Sequence, residues 1–356
     1  MTQKKKFVFS DLSNLLENAL PLPLSKQDKF VIFSDLHMGN GGRLDDFRIN
    51  STLFTKVLLD YYFEKDYKLI LNGDVEELHK FSLRSIQKAW NGIYDIFDGF
   101  EKKNRLLKTV GNHDITLIYK ERYRYKDVLY PAIKFDHGGD TIFVFHGHQA
   151  SDFLEKYNTV IGYILRYIAR PFGIKNYSAA YNSRKRFKVE RKVHEFSKNH
   201  KLISIIGHTH RPLFESLSKI DTLKFKIEQL LRAYSRASTE EKPGIAKDIK
   251  NYRQELLHFF NRHEDIGARA SLYDAGLIIP SLFNSGCGIG RWGITSIEIT
   301  GGEISLVHWF HVKRHKSYHK HFEKKPQPLG NSPYLRMVLK SDFLNYIFSR
   351  IKLLTV

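Results

Sequence analysis

The chain of 356 residues holds a single cysteine, Cys287. One cysteine excludes an intrachain disulfide and a thiolate metal cluster, and it points to a cytoplasmic setting. Long apolar runs are also missing: no stretch reaches the roughly 18 consecutive apolar residues that suggest a membrane-spanning helix. The opening MTQKKKFVFSDLSNLL carries a basic cluster but only a brief apolar stretch, followed by Asp11, Asn14 and Glu17. It reads as an extension and not as a secretory signal. Acidic residues are few beside basic ones, 38 against 57, which leaves a net charge of +19 and a pI near 9.7. That imbalance favours polyanionic partners: nucleic acid, an anionic membrane face or a phosphorylated substrate. A solvated basic surface serving only solubility is the plain alternative. Hydrophobic content of 42% and charged content of 27% are ordinary for a globular chain long enough for one large core or two.

What the chain does contain is five short segments rich in metal-ligand residues, each after an apolar run. They are Ser34 to His37 (SDLH), Asn72 to Asp74 (NGD), Gly111 to Asp114 (GNHD), Phe145 to His148 (FHGH) and Gly207 to His210 (GHTH). The preceding runs, such as Phe30 to Phe33, Leu69 to Leu71 and Leu202 to Ile206, are short enough for strands buried on both faces. Ligands at the carboxyl ends of such strands converge on one rim, where open α/β sheets place their sites. Three Asp, one Asn and several His on a rim form the donor set of a two-metal hydrolytic centre. With no sulfur among them, they suit manganese, iron or zinc.

The order and content of these segments resemble the calcineurin-like metallophosphoesterase family over roughly residues 29 to 310. A later Asn284-Ser285-Gly286 and a hairpin around Thr300-Gly301-Gly302-Glu303 also fit. The resemblance implies an α/β fold, a four-layer α-β-β-α sandwich carrying two helical inserts. It implies two divalent metal ions, manganese first and iron or zinc as alternatives. Asp74 would bridge them; Asp35, His37 and His210 would complete one site, and Asn112, His146 and His208 the other. A metal-bridging hydroxide would attack a phosphoester or pyrophosphate. His113 would face the substrate, stabilising phosphoryl oxygens or protonating the leaving oxygen, and Asp114 would hold its imidazole. His148 stays open between a supporting, a substrate-facing and a turn role. GHTHRP (Gly207 to Pro212) and the position of the first insert are similar to the UDP-2,3-diacylglucosamine pyrophosphohydrolases, which act at a membrane face. Those enzymes typically carry Arg where His113 stands and Asp where His148 stands.

Residues 1–27 read as a peripheral extension and 28–312 as the phosphoesterase domain, with inserts at about 150–200 and 214–268. The first insert suggests a helix over 152–170 and a basic one over 178–197. It is either a supporting hairpin or a substrate lid whose Arg184, Arg186 and Lys188 meet an anionic phosphoester. The second insert, divided by Pro243-Gly244, reads as a helical hairpin for interaction or oligomer formation. Residues 77–98 suggest one helix. Residues 313–356 read as a basic tail, whose four histidines are a loose metal tract or a solvated strap, followed by an amphipathic segment from Tyr334. That segment either caps the core or lies on the inner membrane face as a peripheral anchor. Three functions remain in view: a dinuclear phosphoesterase, a metal-dependent nuclease acting on nucleic acid, and a metal-free scaffold on the same fold. Intact donors at all seven positions speak against the scaffold. Oligomeric state is not legible.

Overall fold

The computed structural model describes residues 12–151, 183–214, 223, 227, 228, 230, 231, 234, 235, 237–262, 279–314 and 325–355. Its architecture is two β-sheets stacked face to face with helices on both outer faces. In chain order the strands are β1 (Leu20–Pro23), β2 (Lys29–Phe33), β3 (Lys68–Asn72), β4 (Leu106–Thr109), β5 (Leu129–Tyr130), β6 (Ile133–His137) and β7 (Asp140–Val144). They continue as β8 (Ile203–Ile206), β9 (Leu282–Asn284), β10 (Ile294–Thr300), β11 (Glu303–His311), β12 (Gln327–Pro328) and β13 (Tyr334–Phe343). One sheet runs β1-β6-β7-β8-β9 and the other β12-β13-β11-β10-β2-β3-β4-β5. The helices that matter below are α1 (Ser51–Val57), α2 (Leu83–Ala89), α3 (Asn91–Lys102), α4 (Ser183–Asn199), α5 (Lys242–Arg262) and α6 (Leu344–Leu354).

The strict alternation of side chains along a strand builds the layers. In β2, Phe30 and Ile32 face the other sheet, while Val31 and Phe33 face α1 and α3. Across the gap, Ile133, Phe135, Ile142, Val144, Ile203 and Ile205 complete the middle core. The odd partners Phe143, Phe145 and Ile206 point outward to Val189, Val193 and Phe196 of α4 and to Leu12 of the helical residues 12–17. Both faces of β2 and β3 are thus apolar, which is why those strands read as unbroken apolar runs. Strands β2 to β5 are parallel, and so are β7, β8 and β9. Their carboxyl ends leave the two sheets at a common rim.

Several expected elements differ. Residues 77–98 are not one helix: the chain is non-helical until Ser82, whose Oγ caps α2 at Ser85 N, and it breaks again at Trp90 before α3. The β-hairpin at residues 300–303 is present in register from Ile294↔Trp309 to Thr300↔Glu303. The segment from Tyr334 is a ten-residue strand before it is a helix, paired antiparallel along β11. Its alternation imitates helical spacing because apolar and basic residues occur in it at mixed intervals. α6 then lays Leu344, Ile347, Phe348 and Ile351 into the middle core. Its apolar face is therefore used inside the protein and is not free for a membrane interface. β1 likewise pairs with β6, so residues 20–23 are part of a sheet. The first helix of the first insert (152–170) and the histidine-rich 315–324 lie outside the described residues. Among the described residues no helix is long and apolar enough to cross a membrane.

Candidate metal centre

The rim receives Asp35 and His37 after β2, Asp74 after β3, Asn112 and His113 after β4, His146 after β7, and His208 and His210 after β8. Three of the five segments come from one sheet and two from the other, so the site straddles the layers. The chain bends sharply at each exit. Asp35, His37, Asp74, His208 and His210 all adopt the left-handed conformation, with φ of 53°, 47°, 51°, 63° and 54°. Non-glycine residues held there cost on the order of 1–3 kcal/mol each, and such strain gathers where donors must be aimed. Glycine lets the turns interlock. A Cβ on Gly111 would run into Asp74 Oδ1, and one on Gly207 into Ser34 Oγ and Asp35 Oδ2.

The donors form two groups that meet at Asp74. Ligand atoms of Asp35, His37 and His210 lie within 4.8 Å of one another, and so do those of Asp74, His146 and His208. His210 Nε2 is 3.1 Å from Asp35 Oδ1, and His146 Nε2 is 3.1 Å from Asp74 Oδ2. His37 Nε2 lies 3.9 Å from both Asp35 Oδ1 and Asp74 Oδ2. His37 Nε2 and His210 Nε2 face each other at 3.0 Å. The other ring nitrogens are anchored: His146 Nδ1 donates to Asn72 O at 2.9 Å, and His37 Nδ1 to Glu77 Oε2 at 3.2 Å. That fixes the tautomer with Nε2 as the lone-pair donor, the usual preparation of a metal-binding imidazole.

Among the described residues several buried atoms here have no protein partner: Asn112 Oδ1, His146 Nε2 and His208 Nε2. His146 Nε2 is close to Asp74 but not aligned for a hydrogen bond. Buried polar atoms are normally satisfied. Oxygen and imidazole acceptors left bare at one rim, beside two carboxylates, fit divalent cations.

Charge reinforces the arrangement. Burial alone would raise Asp35, but His210 and then His146 beside it hold the carboxyl down at about 2. Asp74, against the same burial, is held well below the usual carboxylate range by His146 and His113. In the metal-free protein burial opposes protonation of His146, yet Asp74 and Asp35 raise it to about 10. His208 is pushed down to about 3 by burial and by the His146 charge. Burial, with His146 and His208, likewise keeps His148 neutral, and its Nδ1 has no partner among the described residues.

The carboxylate on His113 is not Asp114. Asp114 accepts the backbone N–H groups of Gly111 at 2.6 Å and Val75 at 2.8 Å, which ties the GNHD turn to the NGD turn. Burial, then Asp74 and Glu76, push its carboxyl up to about 7. His113 Nδ1 instead donates to Glu77 Oε1 at 2.8 Å, and the second oxygen of Glu77 holds His37. Burial opposes protonation of His113, yet Glu77 and Asp74 raise it to about 9. Glu77 escapes a sequence reading because it follows no strand and sits in an acid pair that looks like an ordinary helix approach. Its place three residues after Asp74, in the turn that must pass under the GNHD turn, is the available signal. Below it, Lys108 and Glu76 form a fully buried pair at 2.9 Å, with Tyr123 donating to Glu76 as well.

The cations expected to meet substrate are not brought to the donors by any contact among the described residues. The side chain of Arg184 lies outside the described residues; Arg186 is half-buried and Lys188 exposed. α4 grips the rim through Glu190, which accepts from Thr209 Oγ1 at 2.8 Å and pairs with Arg211. Asn284 donates to Gly207 O and Thr209 Oγ1, fastening the same turn from β9.

No family model matches the chain, and no curated protein does. Among solved structures, a single mutant of Vps29 from Entamoeba histolytica is similar at 10% identity and a TM-score of 0.34, over 80% of this chain and 94% of that one. A conserved uncharacterized protein from Streptococcus pneumoniae TIGR4, described as a predicted phosphoesterase, is similar at 12% identity and a TM-score of 0.30, over 80% and 91%. Overlaps this loose do not bear on the chemistry.

Proposed function

We propose that this chain is a metal-dependent hydrolase of phosphoric esters or pyrophosphates. The observation that carries the reading is the buried rim where Asp35, His37, Asp74, Asn112, His146, His208 and His210 meet with acceptor atoms left bare. Asp35, His37 and His210 would hold one cation and Asn112, His146 and His208 the other, with Asp74 shared. Two such ions supply neutralisation of phosphoryl charge and acidification of a water molecule. The chain's own residues do the rest. Glu77 fixes the Nδ1–H tautomer of His113 and leaves its Nε2 to face the substrate. A protonated His113 then donates to a phosphoryl oxygen or to the departing oxygen. Asp114 acts on the backbone, keeping Gly111 and Val75 in place so that His113 N can donate to Asp74 Oδ1 at 2.7 Å.

A lipid- or nucleotide-linked substrate such as UDP-2,3-diacylglucosamine is the finer reading. Its support is GHTHRP and the attachment of the basic helix α4 to that segment through Glu190 and Arg211. Manganese is the metal proposed, and an anionic surface the setting. A non-catalytic scaffold has no need of five strained donor residues in three turns aimed at one point. The test is hydrolysis with Mn²⁺ of a monoester, a diester, a UDP-linked pyrophosphate and single-stranded DNA, alongside metal analysis of protein purified without chelator. Metal-dependent turnover on at least one substrate, with about two equivalents bound, is expected. Well under one equivalent and no metal-dependent turnover defeats the proposal.

A further inference from the structure

Away from the metal donors, α2, the start of α3 and the loop 120–125 border a shallow, open surface depression of about 580 Å³. Its walls are Leu83, Arg84, Gln87, Lys88, Asn91, Arg122 and Arg124. Four of these seven are cations and none is an acid. Arg84 and Lys88 stand one turn apart on α2, so they share a face. Arg122 and Arg124 approach from a separate segment. Arg124 is paired with Asp98. Among the described residues Arg84, Lys88 and Arg122 have no carboxylate partner, and all three are exposed.

Three unpaired cations brought together from two segments repel one another. Nothing in packing requires it, since Leu83 is the cleft's one apolar lining residue. A concave basic surface concentrates field lines and anions. Guanidinium groups in particular match phosphate oxygens with paired donors. Gln87 and Asn91 add neutral amide groups on the same wall. Both walls also belong to chain that has just left the rim. α2 begins nine residues after Asp74, and Arg122 follows His113 by nine. Trp90, at the end of α2, donates to Asp45 Oδ2 at 3.0 Å, in the loop that follows His37.

We propose that this cleft is a binding site for a ligand carrying several phosphate groups. A free oligophosphate and a nucleic-acid backbone present the same chemistry, and the assay separates them.

The experiment measures binding of inorganic tripolyphosphate by calorimetry and of a labelled single-stranded oligodeoxynucleotide by anisotropy. It uses the full chain with its resident metals at several salt concentrations. The variant is Arg84→Gln/Lys88→Gln/Arg122→Gln. The control is Lys26→Gln/Lys56→Gln/Lys103→Gln, which removes the same charge elsewhere. Cleft binding predicts that the variant loses about tenfold or more in affinity while the control does not. If the oligonucleotide is the ligand, the slope of log K against log salt becomes shallower by about 2, from roughly 0.7 per phosphate contact over three cations. If only tripolyphosphate responds, the ligand is a small oligophosphate. Equal effects of the two triples, or no binding by the wild type, overturn the proposal. Mn²⁺-dependent turnover of the monoester, the diester, the UDP-linked pyrophosphate and single-stranded DNA is followed in parallel. Its absence on all four in the wild type sinks the phosphoesterase reading, whatever the cleft binds.

Discussion

Glu77→Gln keeps the shape of the side chain and removes its charge. In the wild type the two carboxylate oxygens each accept one imidazole N–H, from His113 at 2.8 Å and His37 at 3.2 Å, at 3% exposure. A glutamine has one oxygen left to accept, and its NH₂ would meet the second imidazole donor to donor. One ring must rotate or change tautomer. Hydrogen bonds to a charged group contribute about 1.5–3 kcal/mol each, and a buried donor left bare costs about 1–3 kcal/mol. Loss of such support for a metal-bound histidine typically costs about 10–100-fold in metal affinity or activity. We therefore expect the cation held by His37 to bind about 10–100-fold more weakly, and turnover at saturating metal to fall by a similar factor through His113. Glu77 is also the foremost influence raising His113 to about 9, so its pKa drops in the variant. On the proposed role, in which His113 donates in its protonated form, the alkaline limb of the pH–rate profile should move to lower pH. Metal titration, kcat at saturating Mn²⁺ and the pH profile are the readouts. Unchanged metal affinity together with an unchanged alkaline limb would refute the role given to Glu77.

Three further outcomes are expected. His113→Ala should retain both metals and lose about 10²–10⁴-fold in turnover, whereas Asn112→Ala should weaken one cation; metal analysis showing an emptied site in His113→Ala reverses the assignment. Because Asp74 and Asp35, against burial, keep the metal-free His146 protonated up to about 10, metal uptake at pH 7 should release about one proton from it, seen as a calorimetric enthalpy that varies with buffer; a buffer-independent enthalpy contradicts this. Ile347→Ala on α6 should destabilise the whole domain by about 2–5 kcal/mol in denaturant unfolding, and a peripheral anchor would show almost no change.

Much of the site is legible in the sequence because each donor follows directly on a buried strand. An apolar run that stops abruptly at Ser34, Asn72 or His146 marks a strand end with donors just beyond or at it, and parallel strands deliver their ends to one rim. The supporting residues carry no such mark. Glu77, Asn72 and Glu190 act across distances of 36, 73 and 21 residues in the chain, on His113, Phe145 and Arg211. Their partners are set by how turns pass one another, which a linear pattern does not contain. Asp114 shows the reverse error: adjacency to His113 suggests contact, but a tight turn sends neighbouring side chains apart and gives its oxygens to backbone donors.

Local pattern by itself determined the strands that lead into the rim, the hairpin at Gly301-Gly302 and the residue types at the rim, because period and turn chemistry act over a few residues. Tertiary structure alone decided that the donors come from two sheets, that Glu77 joins the two histidines, and that the segment from Tyr334 is a sheet strand followed by a core helix. Those outcomes depend on which surfaces meet. β13 is held by its long ladder with β11, and α6 by the apolar gap left at the end of the middle core. Strands from distant parts of the chain build that gap, so burial, and not propensity, settled the form of the last segment.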